Sequence, residues 1–318
     1  MRLERIAIVG AGAMGCSLAA ITAPHVPTVL VVRRPERATR IRREGVRLEG
    51  ALRREGKPEV VPHVDDLADI HPVDLVFIAT KTTAIPEVCQ ALRPHRRELP
   101  FLVSYQNGIE PGRTLLRTLG TSRVLRMVLH YGAVLREHGS GPLRVQIPLN
   151  QPPHWIGGEG EEVQAVARAL AVRLSAMGLE TRFAEDIEVP VWRKGLMNAA
   201  SNPVAALVRE RLGELLRSPA RPLIERLLDE GIAVARAAGI ELGAGFRDEA
   251  LTSMAAGGTH RPSMAEDVLE GRTTEITQLN EQIVARAEAL GVPTPTHRAV
   301  VELIRTFDWR AAGGGPRA

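Results

Sequence analysis

Lysine and asparagine recur every four residues in the stretch 192–203, which reads WRKGLMNAASNP. In an α-helix a step of four residues turns the side chain only about 40° further round the axis, so Lys194, Asn198 and Asn202 would share one face. The positions between them are mainly apolar, as expected of a helix that packs against a core. The spacing therefore predicts a helical face that carries one amine and two amides, which can donate a proton and hydrogen-bond a polar substrate.

Lysine is rare in this chain. Of 41 Lys and Arg residues, only Lys57, Lys81 and Lys194 are lysine. An ammonium can release its proton whereas a guanidinium effectively cannot, so a retained lysine is a candidate for proton transfer. The spacing alone leaves open the alternative of a solvated lysine followed by surface asparagines.

The N-terminal residues match a dinucleotide-binding fingerprint. A β-branched run at 5–9 precedes GAGAMG at 10–15, and an apolar, helix-like segment follows. Gly10 permits the tight turn, Gly12 lets the backbone approach a pyrophosphate, Gly15 allows close helix–strand packing, and the helix N-terminus stabilises phosphate charge. The residues expected to hold the dinucleotide here are Gly10, Ala11, Gly12, Ala13, Met14 and Gly15.

Three polar residues follow the other predicted strands of this sheet. The second strand ends in Arg33 where an NAD-binding chain would carry an acid, so we expect NADP(H), with solvated arginine as the alternative. Lys81 follows the buried run 74–80, at a strand end where a cofactor phosphate or ribose would lie. Asn107 lies in Gln-Asn-Gly after the run 101–105; Asn-Gly is a turn signal, and the amide is also placed to contact nicotinamide or substrate.

The hydrophobic pattern changes from strands and helices to helices alone near residue 186. We expect an α/β Rossmann-type domain over 1–185 and an all-helical domain over 186–318, with a disordered tail at 311–318. Pro203 should kink or interrupt the first long helix, and Ser263 with Glu266 has the spacing of a capping box. The predicted helices span 186–209, 219–238, 246–256, 264–290 and 295–306.

Composition narrows the class of protein. The chain has 318 residues, 44% apolar and 25% charged, with a net charge of +4, which is typical of a soluble globular protein. Scattered arginines and 3% aromatic residues disfavour a nucleic-acid surface, so the expected partner is a small anionic molecule, with no nucleic acid and no membrane. Two cysteines fit a reducing cytoplasm, and the histidines lack the spacing of a metal site, so no metal is expected.

Taken together, five groups of residues resemble the ketopantoate reductase (2-dehydropantoate 2-reductase) family. The glycine turn, Gly10 to Gly15, is shared by many dehydrogenases. The lysine–asparagine helix and the Ser-Met to Thr-Glu segment are much more specific. The groups are Gly10 to Gly15, Thr80-Lys81-Thr82, Gln106-Asn107-Gly108, Trp192-Arg193-Lys194 with Asn198 and Asn202-Pro203, and Ser263-Met264 through Asp267 and Gly271-Arg272 to Thr274-Glu275-Ile276.

The resemblance implies a Rossmann-type domain followed by a helical domain, and it assigns roles to residues. Lys194 would be the general acid that protonates the substrate carbonyl as hydride arrives from NADPH. Asn198 and Asn202 would bind substrate oxygens, Ser263 the substrate carboxylate, and Asn107 both ligands. The cofactor would be held by the residues of the glycine turn, Arg33, Lys81, Asn107, the backbone near Ala133, and Glu275.

One position departs from the family pattern. Leu212 stands where the ketopantoate enzymes often carry a further substrate-binding asparagine, and leucine cannot replace that hydrogen bond. The expected function is NADPH-dependent reduction of 2-dehydropantoate to pantoate on the route to coenzyme A, in a cytoplasmic protein for which a homodimer is left open. The alternatives are reduction of another bulky 2-oxo acid, and a non-catalytic NADPH-binding sensor.

Overall fold

The computed structural model describes residues 3–64, 73–95 and 99–314, and divides the chain into two compact units. The first unit contains Met1–Gln106 and Pro111–Ile187, and the second contains Asn107–Glu110 and Glu188–Ala318. Residues 315–318 of the predicted disordered tail lie outside the described residues. Ala311 ends the last helix, so the helical structure continues five residues beyond the predicted end at 306.

An eight-stranded sheet forms the first unit, in the order β12-β11-β8-β7-β6-β1-β2-β5. All neighbouring strands run parallel except β8 and β11, which are antiparallel. This is the α/β, Rossmann-like architecture that the sequence predicts. The strands are β1 (Ile6–Val9), β2 (Thr28–Val31), β5 (Glu59–Val61), β6 (Leu75–Ile78), β7 (Phe101–Ser104), β8 (Val124–Val128), β11 (His154–Gly157) and β12 (Thr181–Phe183).

Both faces of this sheet are covered, which explains the continuous apolar runs in its strands. In β1, Ile6 and Ile8 pack into one buried cluster, whereas Ala7 and Val9 pack into another. The alternation follows from the two-residue period of a strand. The helices of this unit are α1 (Ala13–Thr22), α2 (Pro35–Glu44), α3 (Ile85–Leu92), α4 (Pro111–Leu119) and α5 (Glu161–Ala176).

A second, four-stranded sheet belongs to the same unit, in the order β4-β3-β10-β9. The sequence indicates its β3–β4 hairpin, but the Gly- and Pro-rich segment that contributes the other strands shows too short an alternation to be assigned. Its strands are β3 (Val46–Gly50), β4 (Arg54–Gly56), β9 (Val134–Arg136) and β10 (Leu143–Ile147).

The second unit is helical, as predicted, but it contains the short helix α7 (Leu212–Leu215), which was not predicted, and some helix boundaries differ. The single helix predicted over 264–290 is two helices, because Gly271 at φ +64° ends the first one and the Arg272 amide bonds back to the Asp267 carbonyl. A 3₁₀ turn, Ile276–Gln278, lies between them. The helices are α6 (Glu188–Val208), α7 (Leu212–Leu215), α8 (Arg221–Ala237), α9 (Phe246–Ala256), α10 (Ser263–Leu269), α11 (Asn280–Leu290) and α12 (Pro295–Ala311).

Of the two predicted effects of Pro203, a kink or an interruption, the interruption does not occur: α6 continues five residues beyond it, to Val208. Proline has no N–H, so the Ala199 carbonyl one turn earlier loses its normal partner. Asn280 Nδ2 lies 2.8 Å from the Ala199 oxygen and donates to it instead. The side chain of another helix therefore compensates for the missing backbone bond.

Candidate active site

Helix α6 carries the predicted polar face. Its opposite side is fully apolar, with Leu196, Ala199 and Ala200 at most 1% exposed, and this burial fixes which residues face outward. Lys194 and Asn198 are half-buried, and Asn202 is buried. The Lys194 side chain is therefore partly shielded from water, and a hydrogen bond in such surroundings is stronger than in bulk solvent.

Lys194, Asn107 and Glu275 form a continuous hydrogen-bonded chain. Lys194 Nζ donates to Asn107 Oδ1 at 3.2 Å, and Asn107 Nδ2 donates to Glu275 Oε2 at 3.3 Å. The orientation of the amide is fixed, because its oxygen must face the ammonium and its NH₂ group the carboxylate. The two bonds join segments 87 and 168 residues apart in the sequence.

The backbone next to Asn107 is constrained within the second unit at Gly108. Gly108 has φ +96°, and a Cβ there would collide with the Gln278 carbonyl oxygen, so glycine is required. Gln106, which ends the preceding segment of the first unit, is buried within that unit: its Nε2 donates to the Ile78 oxygen at 2.8 Å, and Arg126 Nη2 donates to its carbonyl at 2.8 Å. The Asn-Gly turn thus places an amide at a defined point of the second unit.

Glu275 is positioned through the residue before it. Asp308 accepts two hydrogen bonds from the buried Thr274, at 2.7 Å from the backbone N–H and 3.0 Å from the hydroxyl. This clamp fixes the chain direction from which Glu275 projects toward Asn107. Sequence reasoning missed Asp308, because nothing in the local pattern of α12 indicates a distant partner.

Ser263 is an exposed residue at the first position of α10, and it is not the N-cap. The N-cap is Pro262, and no side chain caps this helix end, so the predicted capping box is wrong. Pro262, with its fixed extended backbone, takes the cap position one residue earlier. The Ser263 hydroxyl thus does not cap the helix. Its binding of a substrate carboxylate stays a prediction.

Leu212 begins the short helix α7 and lies over Gly257, where a Cβ would collide with Leu212 Cδ2. Its backbone N–H donates to the His260 carbonyl at 2.9 Å. The departure from the family pattern therefore lies beside the segment that leads to Ser263.

The glycine turn of the first unit has the features that a pyrophosphate requires. A Cβ on Gly10 would come within 2.9 Å of the Ala79 carbonyl carbon, and one on Gly15 would collide with the Gly10 carbonyl. Around a Cβ on Gly12 there is no described atom within 4 Å, so open space lies above that backbone, next to the N-terminus of α1. Ala13, Met14 and Ala133 are half-buried and pack against the core cluster of this unit.

Charged residues lie around this turn as follows. Arg33 pairs with Glu87 at 2.9 Å, both side chains being about two-thirds exposed, and Lys81 is exposed after β6. Arg37 is more enclosed, with a side chain 13% exposed. Its Nη1 donates to the Ala11 carbonyl at 2.7 Å, and its hydrogen bond to Glu137 holds the pKa of that carboxyl below the ordinary 4.5. The sequence pattern did not distinguish Arg37 from solvated arginines.

Two family models cover most of the chain. The one described as "Ketopantoate reductase PanE/ApbA" matches residues 6–147, and "Ketopantoate reductase PanE/ApbA C terminal" matches residues 186–308. The chain belongs to the ketopantoate reductase family. It is thus an oxidoreductase of a family whose members bind NAD(P)H.

Relatives span the whole length of this family member. It is 28% identical to the 2-dehydropantoate 2-reductase of Archaeoglobus fulgidus over 306 residues, which is 96% of this chain and 98% of the relative. It is also 28% identical to the Aquifex aeolicus 2-dehydropantoate 2-reductase over 312 residues, 94% of this chain and 95% of that protein. These matches extend the family assignment across both units.

Solved structures give the same fold. A PanE/ApbA family ketopantoate reductase from Ralstonia eutropha superposes with a TM-score of 0.84 at 26% identity, covering 97% of this chain and 100% of the other. D-mandelate dehydrogenase with NADH and anilino(oxo)acetate has the same TM-score and coverage at 23% identity. At that identity the second likeness shows the fold alone.

The described residues contain neither a candidate membrane span nor a cluster of potential metal ligands. No helix among them combines the length and hydropathy needed to cross a bilayer. Within 3–64, 73–95 and 99–314, no three His, Cys, Asp or Glu side chains are grouped as metal ligands would be.

Proposed function

We propose that this chain reduces 2-dehydropantoate to pantoate with NADPH, as its named relatives suggest. The observation that carries the proposal is the chain of bonds from Lys194 through Asn107 to Glu275. It places the scarce amine beside a fixed amide and a carboxylate, all half-buried, an arrangement suited to holding a proton donor in one orientation.

The residues of the glycine turn fit a dinucleotide. The open space above Gly12 and the N-terminus of α1 would hold the pyrophosphate, with Lys81 and Ala133 as further contacts. When bound, NADPH supplies the hydride that reduces the substrate carbonyl carbon.

Lys194 acts on the carbonyl oxygen. Its ammonium polarises the C=O bond, and as negative charge develops on the oxygen it transfers one proton there, so the product is a 2-hydroxy acid. Asn107 orients the amine through its Oδ1, and Glu275 orients Asn107 in turn. Asn198 and Asn202 would hold the substrate oxygens, and Ser263 the carboxylate.

The preference for NADPH over NADH is a further part of the proposal. Arg33 is the predicted ligand of the 2′-phosphate, and its exposed guanidinium can exchange Glu87 for that group because a surface ion pair is weak, about 0–1 kcal/mol. Arg33→Ala should then lower kcat/KM for NADPH while leaving that for NADH unchanged. An unchanged ratio would exclude Arg33 as the phosphate ligand.

A second candidate substrate is favoured by Leu212. An apolar side chain over Gly257 cannot bond a substrate hydroxyl, which suits a bulky 2-oxo acid without one. Steady-state rates of NADPH oxidation with 2-dehydropantoate, its analogue without the hydroxyl, and an aryl 2-oxo acid distinguish the two. A higher kcat/KM for either acid without the hydroxyl would refute 2-dehydropantoate as the substrate, and no turnover with any of them would refute the reductase itself.

A further inference from the structure

Pro203 leaves one carbonyl of α6 without its usual hydrogen-bond donor, and a side chain from another helix supplies the donor. Every interior carbonyl of an α-helix accepts from the N–H four residues on, and residue 203 has none. The Ala199 carbonyl therefore depends on Asn280 Nδ2, at 2.8 Å, from the start of α11. Asn280 is fully buried, so water cannot replace it.

The orientation of the Asn280 amide is determined by its neighbours. Its other N–H reaches His297 Nδ1 at 3.0 Å, and His297 Nε2 lies 3.0 Å from the Leu227 carbonyl. That carbonyl only accepts, so Nε2 carries the hydrogen and Nδ1 is an acceptor. Asn280 Oδ1 is buried with no hydrogen-bond partner among the described residues. Both N–H groups of the Asn280 amide donate hydrogen bonds, whereas its Oδ1 accepts none among the described residues. We therefore attribute the role of Asn280 to its two N–H groups.

The acceptor of this bond, the Ala199 carbonyl, lies in the part of α6 that carries the proposed substrate-binding residues. Ala199 stands between Asn198 and Asn202 and five residues after Lys194, while Asn280 follows Glu275 by five residues. One hydrogen bond therefore joins the helix that carries the amine to the segment that carries the carboxylate. Those two segments also meet through Asn107.

We propose that Asn280 is a positioning residue for the reduction: by replacing the N–H that Pro203 lacks, it fixes the register of Lys194, Asn198 and Asn202 against Glu275. It touches none of the reacting atoms and acts through Ala199. The inference rests on the proposed function for its kinetic consequence, whereas the hydrogen-bond substitution itself is independent of the reaction.

A cycle of four proteins tests this: wild type, Asn280→Leu, Pro203→Ala and the double variant. Pro203→Ala restores an N–H that can bond Ala199 within the helix, so we expect kcat/KM within about twofold of wild type. Asn280→Leu should lower kcat about 10- to 100-fold, as a misplacement of about 1 Å does. The double variant should recover most of that loss, because the restored N–H at residue 203 satisfies the Ala199 carbonyl without Asn280. His297 Nδ1 loses its Asn280 partner in both Leu variants, so that effect cancels when the two are compared.

Two readouts separate positioning from simple loss of folded protein. NADPH titration by fluorescence counts binding sites, so positioning predicts a lower kcat per site at unchanged NADPH affinity, whereas a purely structural role predicts fewer sites with normal kcat. Thermal unfolding measures the contribution of the Asn280–Ala199 hydrogen bond to stability. Asn280→Leu should lower Tm by roughly 3–8 °C more when residue 203 is proline than when it is alanine.

The outcomes are distinct. Equal losses from Asn280→Leu in both backgrounds, or failure of both Leu variants to fold, would overturn the inference. If Asn280→Leu alone is insoluble and the double variant is folded and active, the inference is supported. Absence of turnover in wild type would refute the proposed function, and the Tm cycle would still decide whether Asn280 replaces the missing N–H.

Discussion

Replacing Asn107 by leucine removes the link between Lys194 and Glu275 at similar side-chain volume. The amide makes two hydrogen bonds, at 3.2 and 3.3 Å, each to a charged group. Such bonds are worth about 1.5–3 kcal/mol each when buried, and all three side chains here are half-buried. Because the side chains are only half-buried, we take about 1–1.5 kcal/mol per bond, at or just below the lower end of that range. The total of about 2–3 kcal/mol corresponds to a loss of about 30- to 150-fold in kcat/KM.

The assay is steady-state NADPH oxidation with the preferred 2-oxo acid, combined with a double-mutant cycle using Glu275→Gln. Because the three residues form one chain, Asn107→Leu and Glu275→Gln should be non-additive by at least about 1 kcal/mol. Gln164→Leu, which removes a half-buried amide from α5 in the first unit, is the matched control and should change kcat/KM less than threefold. Additive effects, or a loss below fivefold for Asn107→Leu, would refute the account of the chain.

Three further predictions concern stability, positioning and specificity. Burial lowers the pKa of His297 in the folded protein below its ordinary 6.5. As the pH falls, this histidine is therefore protonated in the unfolded chain before it is protonated in the folded protein. The contribution of neutral His297 to stability is present above pH 6.5 and is lost as the pH falls toward the lowered pKa. Urea unfolding at pH 7 and 5 should show a fall in stability that is smaller in His297→Gln. Asp308→Ala, which frees Thr274, should weaken NADPH binding about three- to tenfold in a fluorescence titration, with Asp248→Ala, on the exposed face of α9, unchanged. Leu212→Asn should raise the kcat/KM ratio of 2-dehydropantoate to its hydroxyl-free analogue by about tenfold or more; an unchanged ratio would show that Leu212 does not face the substrate.

Local pattern was sufficient for the parallel part of the first sheet and for the helical second unit. The β-branched runs and the glycine turn predicted the parallel sheet, because a buried parallel strand is apolar on both faces and the turn has few alternatives. The four-residue spacing of Lys194, Asn198 and Asn202 predicted the shared face of α6, because it depends only on the helix period.

What sequence could not supply is pairing between distant segments. The division of the predicted helix 264–290 follows from Gly271 in a left-handed conformation, which a hydrophobic period does not reveal. The continuity of α6 through Pro203 depends on Asn280, 77 positions further along, and the clamp on Thr274 depends on Asp308. In the last two cases a side chain makes a hydrogen bond with a backbone group far away in the sequence. Such bonds do not alter the hydrophobic periodicity from which the elements were predicted.

The most direct measurement of the role of Lys194 is chemical rescue. Lys194→Ala should lower kcat about 10²- to 10⁴-fold with NADPH affinity kept, and added methylamine should restore turnover in a saturable way, since a small amine can donate the missing proton. Lys57→Ala, which removes an exposed lysine, should retain wild-type kcat with or without methylamine. A Lys194→Ala protein that turns over at the wild-type rate without added amine would contradict the assignment of this residue as the proton donor.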